Sequence, residues 1–250
     1  MHHHEQRIAL VTGASSEQDM GTAICKRLAE QGYDIVFTYW HAEADWSTNF
    51  EKQLLASGVS GKGIEIDLSH PNAAYEVLDA AAQMGTPSVL VNNAAHSTRD
   101  GYENLDARVL DMHYAVNMRT TFLLCTEFAR RFSIAQLKAG RIINLTSGQD
   151  VGPMPGELAY SATKGAISAF TRALSIELGP LDITVNAVNP GPTDTTWMTD
   201  EIRSHLLPKF AMGRIGQPDD AARLIAFLVS DEAQWMTGQI LHSEGGFQRS

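Results

Sequence analysis

Short, nearly unbroken apolar runs alternate with helix-patterned segments along almost the whole chain. This alternation limits the fold more than any other feature. The apolar runs are 7–12, 34–39, 63–68, 87–91, 141–145, 183–188 and 239–242. Between them, helical periodicity marks 22–31, 42–57, about 71–83, 107–132, 160–178 and 219–229. A strand with one wet face alternates polar and apolar residues, whereas an unbroken apolar run is covered on both faces. Strand, helix, strand in regular succession gives parallel neighbours. The chain therefore predicts an α/β fold, a single doubly wound parallel sheet of about seven strands with helices on both faces. In such sheets a ligand sits beyond the carboxyl ends of the strands. Gly13, Asp67, Asn92, Ser147 and Pro190 all fall at those ends.

Composition narrows the partners. A chain of 250 residues with 44% hydrophobic and 19% charged content suits one soluble domain with a sizeable core. A net charge of −10 argues against nucleic-acid and anionic-membrane surfaces. No apolar run approaches the roughly 20 residues that a membrane span needs, and no secretory signal precedes the first strand. Two distant cysteines, Cys25 and Cys125, form no disulfide framework and fit a reducing cytosol, so a cytoplasmic location is expected. Residues 1–6, with His2, His3 and His4, read as a disordered or tag-like terminus. The domain is then 7–250, and no metal is expected.

Two stretches carry the chemistry. The first run leads into Gly13-Ala-Ser-Ser-Glu-Gln-Asp-Met-Gly21 and then a helix. Strand, glycine turn and helix in that order form the Rossmann-type arrangement, in which helix N-terminal amides receive a pyrophosphate. The second stretch is SGQDVGPMPGELAYSATK, Ser147 to Lys164. Tyr160 and Lys164 are four apart on a helix and share a face, with Ser147 at the strand end facing them. A phenol has a pKa of roughly 10, and a nearby ammonium favours the phenolate. Tyr160 can then act as a general acid toward a carbonyl oxygen or as a base toward an alcohol.

With these residues placed, the chain resembles the short-chain dehydrogenase/reductases. Among them it is most similar to the 3-oxoacyl-[acyl-carrier-protein] reductases. The matching motifs are Thr12-Gly13 with Gly21, Asp67-Leu68, Asn92-Asn93-Ala94, Asn117, Ser147, Tyr160 with Lys164, Pro190-Gly191 with Thr195, and Gly238 with Gly245-Gly246. The resemblance implies a catalytic set of Asn117, Ser147, Tyr160 and Lys164. Tyr160 would exchange the proton, Lys164 would lower its pKa and hold the nicotinamide ribose, Ser147 would orient the carbonyl, and Asn117 would anchor a water. The implied cofactor site takes in Gly13, Ser15, Ser16, Met20 and Gly21 at the phosphates, with Tyr39 and Trp40 at the second strand end. Asp67 and Leu68 would meet the adenine, Asn92, Asn93, Ala94 and Ala95 the ribose, and Pro190, Gly191, Thr193 and Thr195 the nicotinamide. His96, Gln149, Met154, Trp197 and Met198 are expected to bind substrate under a lid near 193–212.

The sequence departs from the family pattern in two places. The glycine loop is two residues longer than usual, with Asp19 where the middle glycine would stand, and Asn-Asn-Ala-Gly has become Asn-Asn-Ala-Ala at Ala95. The second strand ends in Tyr39-Trp40-His41 without the acid that grips NAD ribose hydroxyls. NADP(H) is therefore favoured, with NAD(H) possible. The implied function is NADP(H)-dependent reduction of a ketone, 3-oxoacyl-like or other, to a secondary alcohol. The alternatives are an NAD-dependent polyol or sugar alcohol dehydrogenase and a non-catalytic nucleotide-binding relative. The resemblance further implies a homotetramer acting on a small-molecule carbonyl or alcohol.

Overall fold

The computed structural model describes residues 7–249, so the expectation for residues 1–6 lies outside the described residues. Seven strands form one sheet in the order β3-β2-β1-β4-β5-β6-β7. They are β1 (Ile8–Val11), β2 (Asp34–Tyr39), β3 (Gly61–Glu65), β4 (Val89–Asn92), β5 (Gly140–Leu145), β6 (Ile183–Asn189) and β7 (Ile240–His242). Every pairing is parallel. The chain steps outward from β1 through β2 to β3, then returns to place β4 on the other side of β1. The order reverses there, opening a crevice between the ends of β1 and β4.

Helices cover both faces. On one face α1 (Met20–Glu30), α2 (Trp46–Ala56) and α8 (Pro218–Val229) pack through Ile24, Leu28, Phe50, Leu54 and Ile225. On the other, α3 (Ala73–Ala81), α5 (Thr121–Ile134) and α6 (Leu158–Leu178) pack through Val77, Leu78, Phe128, Phe132 and Leu174. Within β1, Ala9 and Val11 join the first core while Ile8 and Leu10 join the second. That double covering is why the strands read as continuous apolar runs.

Three elements depart from the sequence reading. β3 begins at Gly61 and ends at Glu65, earlier than expected. A Cβ at Gly61 would lie 2.5 Å from a Leu54 methyl, and one at Gly63 would lie 2.8 Å from the Phe37 ring. The glycines that looked like a loose exit are the strand itself, bare so that α2 and β2 can approach. The second helix starts at Trp46 and not at 42, because His41 takes φ +54° and the chain turns before Trp46 donates its indole N–H to Ala14 O at 2.7 Å. The long pattern over 107–132 is split into α4 (Ala107–His113), a π-helical segment (Tyr114–Thr120) and α5. The remaining helix, α7 (Asp200–Leu206), lies within the expected lid. No helix among the described residues is long and apolar enough to cross a membrane. Cys25 and Cys125 are both free and buried.

Candidate active site

The crevice is braced by backbone-directed side chains. Asn93 donates its amide to the carbonyls of Thr12 (2.9 Å) and Gly13 (2.8 Å), and the Thr12 hydroxyl accepts from the amides of Asn93 and Ala94. A Cβ on Gly21 would lie 2.1 Å from the Gly13 carbonyl oxygen, so the glycine loop closes on itself where only a bare Cα fits. Thr22 Oγ1 donates to Ser16 O at 2.7 Å. Asp19 turns its carboxylate inward to accept from the Ser15 amide at 2.9 Å and makes no side-chain cap on α1. The carboxylate is thereby held within its own loop, and the first turn of α1 keeps amides without a side-chain cap. Ser16 Oγ is buried with no partner. A tight glycine turn, an uncapped helix start and an orphaned hydroxyl together fit a dinucleotide phosphate.

Ser147 follows β5 in extended conformation, and its amide donates to Gln149 Oε1 at 3.1 Å. Its hydroxyl reaches Met154 Sδ at 3.9 Å, and its proximity to the Tyr160 phenol favours the phenolate. Lys164, on the same face of α6, is buried and donates from Nζ to Leu145 O at 2.7 Å. Its Nζ lies 5.4 Å from the centre of the Tyr160 ring. Burial pushes the Lys164 ammonium down to about 8. Burial pushes the Tyr160 phenol up to about 12, against the pull of the neighbouring Ser147 hydroxyl and with a further push from Glu157. The expected net depression of the Tyr160 pKa is thus reversed by burial. The ammonium is engaged with the Leu145 carbonyl, and desolvation dominates the phenol.

Asn117 sits in the π segment, fully buried. Its side-chain amide pairs with the backbone of His96 in both directions (2.7 and 2.9 Å) and donates to Thr163 Oγ1 at 3.0 Å. Both amide donors are thus spent on protein, where a water anchor was expected. The inserted residue of a π turn re-aims a side chain, and here it joins the loop after β4 to α6.

The cleft beside Ser147 and Tyr160 has a volume of about 1040 Å³. Met20, Pro190, Gly191, Thr193 and Thr195 line it on the expected cofactor side, and Met154 and Trp197 on the expected substrate side. Other expected residues lie elsewhere. Asn92 is turned into the sheet, donating to Asn144 Oδ1 (2.8 Å) and Cys125 Sγ (3.2 Å). His96 packs edge-on against His113 with ring centres 4.7 Å apart, and burial followed by His113 holds its pKa below the usual value. Gln149 holds Ser147 and Ser168. Met198, within the segment expected as a lid, is buried with Phe210 and Ile215. Leu68 and Tyr39 lend their side chains to the two cores. Trp40, Ala95 and Asp67 stay at the strand ends, where Asp67 accepts from the Ser69 amide at 2.8 Å and the Trp40 amide donates to Ser15 Oγ at 3.2 Å.

Sequence reading missed Asp100. This buried carboxylate accepts from the amides of Leu158 and Ala159, both at 2.8 Å, and from that of Gly101. Its own amide donates to Gly156 O at 2.9 Å. A residue from the loop after β4 thus caps the helix that carries Tyr160 and Lys164. Burial works to raise its pKa, but the three amides outweigh it and hold the carboxyl below its usual value. Nothing local in Arg99-Asp100-Gly101 signals a cap for a helix 58 residues away.

This sheet, with its glycine turn at β1 and its Ser-Tyr-Lys cluster at β5 and α6, defines an oxidoreductase that binds a nicotinamide dinucleotide. The chain belongs to the short-chain dehydrogenase/reductase family. The family model described as enoyl-(acyl carrier protein) reductase matches residues 13–248. The uncharacterized oxidoreductase YjdA of Bacillus subtilis is 64% identical over 250 residues, covering 100% of both chains. The 3-oxoacyl-[acyl-carrier-protein] reductase FabG of Pseudomonas aeruginosa is 36% identical, covering 98% of each. Among solved structures, acetoin dehydrogenase YohF from Salmonella typhimurium superposes with a TM-score of 0.85 at 31% identity, over 97% of this chain and 96% of that one. A blue fluorescent protein from a metagenomic library, solved with NADPH, gives 0.87 at 31% identity, over 96% and 97%.

Proposed function

We propose that the protein reduces a medium-sized, partly apolar ketone to a secondary alcohol with NADPH, Tyr160 serving as the general acid. The observation that carries this reading is the meeting of Ser147 and Tyr160 on the wall of one cleft with Lys164 Nζ 5.4 Å from the Tyr160 ring centre, the phenol being pushed up to about 12 by burial. A phenol in that state holds its proton at neutral pH, as the acid in a reduction must. By microscopic reversibility the same phenol would take the proton back in alcohol oxidation, so the polyol dehydrogenase reading is separated by the substrate and cofactor tests below.

A bound NADPH supplies hydride to the carbonyl carbon. Ser147 addresses the carbonyl oxygen, and Tyr160 gives that oxygen its proton. Lys164, desolvated and charged below about pH 8, stabilises the phenolate left behind. Asn117 and Asp100 hold the helix that aims both groups. Trp197, Leu206 and Met154 form an apolar wall. The missing acid at the end of β2 supports NADPH, as does the NADPH-bound relative.

The test is nicotinamide oxidation with NADPH and NADH supplied separately, against 3-oxoacyl thioesters, simple ketones and sugars. Turnover with NADH alone overturns the cofactor assignment. Tyr160→Phe should abolish turnover while NADPH binding stays within about twofold, and retention of most of the rate would remove Tyr160 as the acid. A homotetramer built on α5 and α6 fits Ile134 and Ile176, which are 83% and 77% exposed. Light scattering tests it, and a monomer counts against it. The two buried, unpaired thiols suit a cytoplasmic setting.

A further inference from the structure

The C-terminal segment enters the cleft with a charged group that none of the roles above uses. Phe247 and Arg249 line the same cavity as Ser147, Tyr160 and Trp197. The segment is fixed to the end of the lid. Phe210 and Phe247 form a bridge with ring centres 5.0 Å apart, and the Gln248 amide donates to Lys209 O at 2.9 Å. The Arg249 guanidinium donates to both carboxylate oxygens of Glu244, at 3.1 Å from Nη1 and at closer range from Nη2. Glu244 is itself held by Asn189 Nδ2 at 2.8 Å. The two side chains are only 16% and 12% exposed, and the guanidinium lies 5.3 Å from the centre of the Phe247 ring.

Its seat is cut from glycine. A Cβ at Gly148, the residue after Ser147, would lie 2.5 Å from Arg249 Nη2 and 2.7 Å from Nε. A Cβ at Gly152 would lie 2.8 Å from Arg249 Cδ. Any larger residue at either position would push the arginine off the backbone beside Ser147. Glu244 takes two of the five N–H donors a guanidinium carries, so a cleft-lining group keeps donor capacity beside the carbonyl site. Its charge is cancelled by Glu244. The other charged side chains lining the cleft, Arg99 and Lys209 against Glu157 and Glu201, also balance. Such a site suits a neutral oxygen and not a carboxylate or phosphate.

We propose that Arg249 is a substrate-binding residue that donates a hydrogen bond to a second, uncharged oxygen of the substrate, a hydroxyl or carbonyl one or two carbons from the reacting ketone. The proposal rests on the ketone-reductase reading of the same cleft. It makes the preferred substrates hydroxyketones and diketones over plain ketones of equal size.

The experiment pairs 1-hydroxybutan-2-one with butan-2-one, and pentane-2,3-dione with pentan-2-one. For each pair it measures kcat/KM and, by calorimetry on the NADPH-loaded full-length protein, ligand affinity. The wild type should favour the oxygenated partner by about tenfold or more, as expected when a site's donor meets a substrate oxygen. Arg249→Met should collapse that ratio, chiefly through KM, and Arg249→Lys should restore part of it. Arg249→Met leaves the buried Glu244 without its cation, so the double variant Glu244→Gln/Arg249→Met repeats the measurement without that charge. Equal preference in the wild type, or a ratio unchanged in both variants, overturns the assignment while leaving the reductase reading intact. Arg249-dependent binding of the oxygenated ligand without turnover overturns the reductase reading and keeps the subsite. Absence of binding to either partner removes both.

Discussion

Replacing Asp100 with alanine should destabilise the protein and disable it through a helix that Asp100 does not belong to. The variant withdraws the acceptor from the Leu158 and Ala159 amides, which open α6, and from the Gly101 amide. An amide left unsatisfied in a buried setting costs about 1–3 kcal/mol. The Ala159 amide is buried while the Leu158 and Gly101 amides are part-buried, so the first carries most of the loss and the total is about 2–5 kcal/mol. For a chain of this size each kcal/mol moves Tm by about 2–4 °C, which gives a fall on the order of 10 °C. Asp100→Asn keeps one acceptor oxygen but loses the charge at the helix N-terminus, and should cost about 1–2 kcal/mol. Tyr160 is the next residue after Ala159, so fraying of this turn should also lower kcat by about tenfold or more. The sign of the pH dependence is fixed. The folded pKa of Asp100 lies below its unfolded value, so the carboxylate's contribution is present above the unfolded pKa of about 4 and is lost as pH falls through the folded value. The Tm gap between wild type and Asp100→Asn should hold from pH 8 to pH 5 and narrow below about pH 4. Calorimetric melts with parallel NADPH-oxidation rates measure both effects. A fall in Tm under 2 °C for Asp100→Ala at pH 7, or a gap that stays constant into acid, would refute the capping argument.

Other expectations follow from the same site. Ketone reduction should be flat from pH 6 to about 7.5 and then decline through a step near pH 8, where Lys164 loses its proton. Lys164→Met should erase that step, and a wild-type profile with no inflection between pH 7 and 9 argues against the lysine's part. Gly21→Ala places a Cβ where the Gly13 carbonyl oxygen already stands, so NADPH affinity by fluorescence titration should fall about tenfold or more. Unchanged affinity would show that the loop can yield. Arg203→Met breaks the pair that ties α7 to Asp194 at 2.8 and 3.1 Å. With a partly exposed pair the lid loosens modestly, and KM should rise about two- to fivefold while Tm moves little.

The expected and observed fold agree because the signal for it is local and repeated. A strand covered on both faces has to be apolar at every position, and 7–12 and 183–188 say so without reference to any neighbour. The cluster of Ser147, Tyr160 and Lys164 was legible for a similar reason. Helical spacing places two of its members, and a strand end places the third.

What stayed hidden depends on contacts between distant segments. Asp100 reads as one polar residue in a polar loop, and only the folding of α6 against that loop turns it into a cap. Asn92 and Asn93 are neighbours of the same type at a strand end, yet the pleat sends Asn92 into the sheet toward Asn144 and leaves Asn93 to brace the crevice. His96, Gln149 and Met198 are expected at the substrate, yet their side chains pack against or bond to His113, Ser168 and Phe210, partners that no local pattern announces. The sequence by itself determined the layered sheet, the glycine turn and the Ser147-Tyr160-Lys164 cluster, since periodicity and spacing act over a few residues. Tertiary structure alone decided the desolvation of Tyr160 and Lys164, the cap on their helix and the arginine beside Ser147, because burial and long-range hydrogen bonds exist only once distant segments meet.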